Sequence, residues 1–215
     1  MVQKPSAILW DHDGVLVDTE RLYFQATREM LARVGVEFTV EQYRQFLLIE
    51  SRGAWHLAKE RGVNEAEIEI LRAARDGRYL ELLTSGDVLI PGALELLARL
   101  KPRYRMAVVT TSRQAHFDAI HYRTGLRDLV ELVLTREDYA LSKPDPEPYQ
   151  RALEKLAVPA SEGLVVEDSE RGLRSARAAG LRCWIVRSEL TAGFAFDGAE
   201  RCFASLAEIG RELAI

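Results

Sequence analysis

The stretch Ser6-Ala-Ile-Leu-Trp-Asp-His-Asp-Gly14 decides how the rest of the chain is read. Its first half, Ser6 to Trp10, is a short apolar run of the kind that makes a strand buried on both faces. Its second half, Asp11-His-Asp-Gly14, is turn chemistry, so the strand ends abruptly in two carboxylates. Downstream of it, as far as about residue 90, the pattern is helical. Tyr23, Ala26, Met30, Leu31 and Val34 fall on one face at helical spacing, with Thr27 the polar exception. Thr39-Val-Glu-Gln42 and Asn64-Glu-Ala-Glu67 both have the form of a capping box opening a new helix. No convincing strand is expected between residues 20 and 100.

The period then changes. Arg105–Val109, Glu131–Leu134, Leu164–Val166 and Arg182–Val186 are apolar strand-length runs, and helical segments separate them. One helix is expected from Arg113. A second takes Asp145 as its N-cap and Pro146 in its first turn, with Tyr149, Ala152, Leu153, Leu156 and Ala157 on its apolar face. A third runs from Arg171 to Ala179 and closes on Gly180. Strands alternating with helices of this length require crossover connections, and so a parallel sheet. The expected fold is α/β, a Rossmann-like parallel sheet core built from residues 1–15 and 91–215, with an α-helical domain inserted at 16–90. Hinges are expected near Val15–Asp18 and at Ile90-Pro91-Gly92.

Bulk properties narrow the function classes. The chain has 215 residues, 47% hydrophobic and 29% charged, which excludes collagen, coiled coil and wholesale disorder. A net charge of −4 provides no basic stripe, so no nucleic-acid partner is expected. No apolar run exceeds four residues, whereas a membrane span needs about 20, so no membrane partner is expected either. Met1 to Ala7 carries neither a long apolar core nor a cleavage site, and reads as no signal peptide. Cys183 and Cys202 lack CxxC spacing and read as two thiols rather than a disulfide or metal pair. A cytoplasmic location is the expectation.

In open parallel sheets ligands bind beyond the carboxyl ends of the strands. After the first strand come Asp11 and Asp13; after the second, Thr110 and Thr111; in a loop after the third, Lys143-Pro144; at the end of the fourth, Glu167-Asp168. Each strand end is polar, and all lie at the same end of a parallel sheet. Asp11, Asp13, Glu167 and Asp168 cannot share a pocket while ionised unless a cation joins them. An oxygen-only donor set suits Mg²⁺, which keeps several waters and takes a remaining ligand from a phosphate. Lys143 and the Thr110 hydroxyl are then donors to phosphate oxygens, and the chemistry indicated is phosphoryl transfer.

Asp11-His-Asp13-Gly-Val-Leu-Val-Asp-Thr-Glu20, Val108-Val-Thr110, Lys143-Pro-Asp-Pro-Glu-Pro-Tyr149 and Val166-Glu-Asp168-Ser-Glu-Arg-Gly172 together resemble the haloacid dehalogenase-like hydrolase superfamily. The likeness is to its helical-cap subgroup, with phosphoglycolate and sugar phosphatases and β-phosphoglucomutase. It implies that residues 16–90 are the cap. It implies that Asp11 is the nucleophile and a metal ligand, forming an aspartyl-phosphate. Asp13 would be the general acid and then the base, with its backbone carbonyl on the metal. Thr110 and the Thr111 amide would hold the phosphoryl group, and Lys143 would balance charge. Asp168 would ligate Mg²⁺ directly and Glu167 through water. The substrate implied is a small phosphorylated metabolite, a sugar or organic-acid phosphate.

Asp13 also sorts the family's chemistries. A halide leaves without a proton, and an alkoxide leaving phosphorus needs one; dehalogenases of this superfamily lack the acid that this chain carries. A phosphosugar mutase remains the alternative, since Ser51-Arg52 and Arg75 align loosely with basic cap positions of β-phosphoglucomutase. Against it, Tyr23 stands where that enzyme has a hinge histidine. Arg52 and Arg75 are therefore either substrate contacts or solvated helix arginines. A non-catalytic phosphate-binding protein is the third reading, and the presence of both Asp11 and Lys143 weighs against it. Strand alternation turns His12 away from the two aspartates, and His56, His116 and His121 share no ligand spacing, so structural roles are expected for all of them. Trp10 and Trp184 read as core, and Trp55 either as core or, beside Arg52, as facing the cleft. Oligomeric state is left open.

Overall fold

The structure, a computed structural model of the chain, describes residues 4–50, 52–122 and 124–213. The chain divides into two compact units, Met1–Asp18 with Leu89–Ile215, and Thr19–Val88.

In the first unit the apolar runs become the strands β1 (Ala7–Trp10), β2 (Arg105–Val109), β3 (Leu132–Leu134), β4 (Gly163–Glu167) and β5 (Arg182–Val186). A further strand, β6 (Arg201–Phe203), was not expected: it is three residues long, two of them exposed, and has no apolar run to betray it. Among the described residues the strands form one sheet in the order β3-β2-β1-β4-β5-β6, every neighbouring pair parallel. β1 lies at the centre, with Trp10 level with Val108 on one side and Val166 on the other. The register brings the carboxyl ends of β1, β2 and β4 to one edge.

Period-two alternation explains why these runs are apolar throughout. Ile8, Trp10, Met106, Val108, Leu164 and Val166 face one core, filled by Leu96, Leu97 and Leu100 of a helix at Ala93–Leu100 and by Phe117. Leu9, Ala107, Val109, Val165 and Ile185 face the other, against Tyr149, Ala152, Leu153 and Leu156 of a helix at Glu147–Leu156 and Leu173 and Ala176 of one at Glu170–Ala178. Trp10 and Trp184 are core residues, as expected. The Glu147 helix begins one residue later than expected. Pro146 is its N-cap, and Asp145 caps from outside, its Oδ1 accepting from the Glu147 N–H at 2.9 Å. Both thiols are free, Cys183 buried and Cys202 exposed. Among the described residues no helix is long and apolar enough to cross a membrane.

The second unit is helical. Its helix at Glu20–Ala32 packs along a longer one at Glu65–Thr84. The first buries Leu22, Ala26, Thr27, Met30 and Leu31, so Leu22 rather than Tyr23 starts its apolar face. Both capping boxes form, at Thr39 with Gln42 and at Asn64 with Glu67.

Candidate active site

Four of the strand-end segments converge. Lys143, 5% exposed, sends its Nζ to Asp11 Oδ1 at 2.5 Å, to Glu167 Oε1 at 2.7 Å and to the Val109 carbonyl at 2.9 Å. Its three donors are thereby used. The Tyr149 hydroxyl donates to the same Glu167 oxygen at 2.8 Å, and the Tyr149 ring lies under the ammonium, 4.8 Å from its centroid. Glu167 Oε2 accepts from the Asp168 N–H at 3.1 Å, the Ser169 N–H at 3.3 Å and the Ser169 hydroxyl at 2.9 Å. Glu167 is fully buried.

Two glycines let these carboxylates approach the backbone. A Cβ on Gly172 would stand 1.9 Å from the Glu167 carboxyl carbon. A Cβ on Gly14, whose φ is +83°, would stand 2.0 Å from Asp168 Oδ2. Both glycines lie inside the acidic motifs.

Asp11, Glu167 and Asp168 each offer an oxygen within 4.8 Å of the others, all three residues being buried. Burial pushes the Asp11 carboxyl up to about 7, and Glu167 adds to the rise, with Lys143 opposing it. Burial also works against ionising Glu167, but the Lys143 ammonium and its hydrogen bond outweigh it and hold that carboxyl below its usual range. For Lys143 burial again opposes the charge, and the two carboxylates overcome it and raise the ammonium's pKa. An oxygen-only acidic cluster of this kind fits a hard divalent cation.

Asp13 stands beside this group, not within it. Its Oδ2 accepts from the Thr110 hydroxyl at 3.0 Å and the Ser112 hydroxyl at 2.8 Å. Thr110 in turn accepts from the Ser112 N–H at 3.0 Å, and its carbonyl accepts from the Tyr139 hydroxyl at 2.7 Å. The Thr111 side chain accepts from Arg171 Nη2 at 3.1 Å. Ser112, Tyr139, Tyr149 and Arg171 went unremarked as site residues in the sequence. Tyr149 and Arg171 could have been found, since each lies inside a motif already quoted; Ser112 falls just beyond the Val108–Thr110 motif, and Tyr139 has no such signal.

Arg52 and Arg75 belong to the helical unit. Arg75 donates to the Tyr23 hydroxyl, pairs with Asp76 at 2.7 Å, and lies 4.5 Å over the Tyr23 ring and 5.9 Å from the Trp55 ring. Arg52 is exposed, pairs with Glu50 and lies 4.3 Å over the Phe46 ring. Ser51 and Met1 to Gln3 fall outside the described residues.

Residues 5–180 match the family model described as a haloacid dehalogenase-like hydrolase. The chain belongs to the haloacid dehalogenase-like hydrolases. Within that family it is an enzyme of the phosphatase kind, and its relatives carry such names. It is 38% identical over 206 residues to Protein CbbY of Rhodobacter capsulatus, covering 90% of each chain. It is 29% identical over 180 residues to a phosphorylated carbohydrates phosphatase of Thermotoga maritima, covering 81% of this chain and 82% of that one. Among solved structures it resembles a mutant of CbbY from Rhodobacter sphaeroides in complex with xylulose-(1,5)-bisphosphate. That likeness has a TM-score of 0.80 and 30% identity, over 96% of both chains. The α/β architecture of this hydrolase is thus that of its family.

Proposed function

We propose that this hydrolase is a Mg²⁺-dependent phosphatase of small phosphorylated sugars or related metabolites, acting through an aspartyl-phosphate on Asp11. The observation that carries the reading is the Lys143 ammonium, buried between Asp11 and Glu167, with Asp13 gripped by Thr110 alongside. A nucleophile, a proton carrier and phosphate donors at one sheet edge are what a two-step phosphoryl transfer needs.

The chain's own residues divide the work. An Asp11 carboxylate oxygen attacks phosphorus as the bond to the ester oxygen breaks, and Asp13 delivers a proton to that departing oxygen. Asp13 then takes a proton from the water that attacks the aspartyl-phosphate, which frees phosphate and restores Asp11. Thr110 and the Thr111 amide hold the phosphoryl oxygens, and Lys143 offsets the charge that accumulates on them. Asp11 and Asp168, with the Asp13 carbonyl, would hold Mg²⁺. Glu167, whose oxygens already accept from Lys143, Tyr149, Ser169 and the Asp168 amide, contributes charge and anchors Lys143, and would reach the ion through water. When bound, the ion neutralises negative charge on the transferring group. Residues 16–90 would act as a cap that excludes water, with Arg52 and Arg75 as its candidate substrate contacts.

The relatives' printed names support a carbohydrate phosphate, and a ketose bisphosphate is the first compound to assay. The test is phosphate release from a panel of sugar phosphates, sugar bisphosphates and 2-phosphoglycolate, with Mg²⁺ and with EDTA, beside Asp11→Asn. Release that needs Mg²⁺ and disappears in a folded Asp11→Asn protein is the expected result. Release that persists in the variant would overturn the nucleophile. Isomerised sugar phosphate without release would replace the phosphatase with a mutase.

A further inference from the structure

Beyond Asp13 runs a file of buried hydrogen bonds that the chemistry above does not use. His12 does not turn away from the aspartates: its Nδ1 lies 3.3 Å from Asp13 Oδ2, because the strand has ended and the tight turn after Asp11 breaks the alternation. Its Nε2 meets the Nε2 of His121 at 2.7 Å. His121 Nδ1 lies 2.8 Å from the Thr124 hydroxyl, which also accepts from the Leu126 N–H at 3.3 Å. His12 is 0% and His121 6% exposed, so water cannot substitute for these partners. Phe117 packs against both rings, at 5.1 and 4.6 Å between centroids.

Proton accounting gives the file a direction. A neutral imidazole has one N–H and one acceptor nitrogen. An ionised Asp13 can only accept, so His12 carries its hydrogen on Nδ1 and presents a bare Nε2 to His121. Only one hydrogen fits between the facing nitrogens, so His121 supplies it from Nε2 and has a bare Nδ1. Thr124, whose oxygen takes the Leu126 N–H, donates its hydroxyl hydrogen there. Each donor then has one acceptor, from Thr124 to Asp13. Burial, with His12 adding to it, lowers the His121 pKa to about 3, which keeps that ring neutral in line with this count.

We propose that His12 and His121 are positioning residues for Asp13. His121 selects the His12 tautomer that donates to Asp13 Oδ2. That bond, with the one from Ser112 to the same Oδ2, fixes the carboxyl group that carries the transferable proton. Without His121 the His12 hydrogen is free to move to Nε2, which turns a bare Nδ1 towards the carboxylate and loosens it. The inference rests on Asp13 being the general acid and adds to it two residues that touch no substrate.

Leaving groups provide the test. An alkyl phosphate needs the proton from Asp13, whereas 4-nitrophenyl phosphate leaves nearly unaided. kcat and KM for both are measured in the wild type, Asp13→Asn, His121→Phe and His121→Gln, with thermal melts of each. General acid catalysis is worth about 10²- to 10⁴-fold, so misplacing the acid should cost about 10-fold or more in alkyl kcat. His121→Phe suits the aromatic surroundings; it is expected to show that loss, with aryl kcat changed less than about 3-fold and both KM values kept. His121→Gln, which retains an N–H near the Nε2 position, should recover most of it. Equal losses on both substrates, or no loss in a folded His121→Phe protein, would overturn the positioning role while leaving a leaving-group-dependent Asp13→Asn intact. An Asp13→Asn protein without leaving-group dependence would remove the general acid, and this inference with it. If His121→Phe does not melt cooperatively, Thr124→Val takes the hydrogen bond from the outer end of the file. The same alkyl-selective loss is then expected, and its absence overturns the role.

Discussion

Lys143→Met is the most informative single change in the sheet unit. The substitution conserves length and removes the charge, leaving Asp11 and Glu167 facing each other. The Lys143 side chain is 1% exposed and its partners 11% and 0%, so solvent cannot replace what is lost. Breaking a buried ion pair from one side costs about 3–5 kcal/mol, and the stranded Val109 carbonyl adds to that. Protonation of a carboxylate in the variant limits the total, so about 4 kcal/mol at neutral pH in EDTA is expected. For a unit of this size that corresponds to a melting temperature lower by about 10 °C. The assay is urea unfolding of the wild type, Lys143→Met, Glu167→Gln and the double variant. Because the partner charge is what makes the single change costly, the double variant should recover about 2 kcal/mol relative to the sum of the singles. Strict additivity, or a loss below about 1 kcal/mol for Lys143→Met, would refute the reading of this cluster as a charge-coupled unit.

Gly172→Ala puts a methyl where the Glu167 carboxyl sits, and should cost about 3 kcal/mol by thermal melting together with most of the activity. Gly77→Ala, in the interior of the helix at Glu65–Thr84 with open space around it, should instead stabilise by about 0.5–1 kcal/mol. His121 stays neutral in the fold down to about pH 3, whereas in the unfolded chain it charges below 6.5. The unfolded chain therefore binds more protons between those limits, so this contribution is complete above pH 6.5 and is lost as pH falls towards 3. Between pH 6.5 and about 4.5 it amounts to about 3 kcal/mol, and urea midpoints should fall less steeply with acid in His121→Phe than in the wild type. Mg²⁺ at a hundred times its dissociation constant should add about 2.7 kcal/mol to wild-type stability in thermal shift, and almost nothing to Asp168→Asn.

Much of the sheet unit was legible because its signals are local. A strand buried on both faces is apolar wherever it is buried, so Ala7–Trp10, 106–109 and 183–186 stand out as runs. β6 escaped because an edge strand with exposed Arg201 and Cys202 needs no such run. In the site, Asp11, Asp13, Thr110, Lys143 and Asp168 were legible because each directly follows a strand or sits in a recognisable motif. His12 was misjudged, since alternation holds only while the strand lasts.

By itself, then, the sequence determined the order of the elements, the helical insertion and the acidic, lysine-bearing strand ends. Each of these is written within a few neighbouring residues by hydrophobic period and turn chemistry. Tertiary structure alone decided the strand order, the Tyr149 hydroxyl under Glu167, and the meeting of His12 with His121 across 109 positions. These depend on which side chains share a dry interior once the helices have packed on the sheet. A buried donor must find its acceptor there, wherever along the chain that acceptor lies.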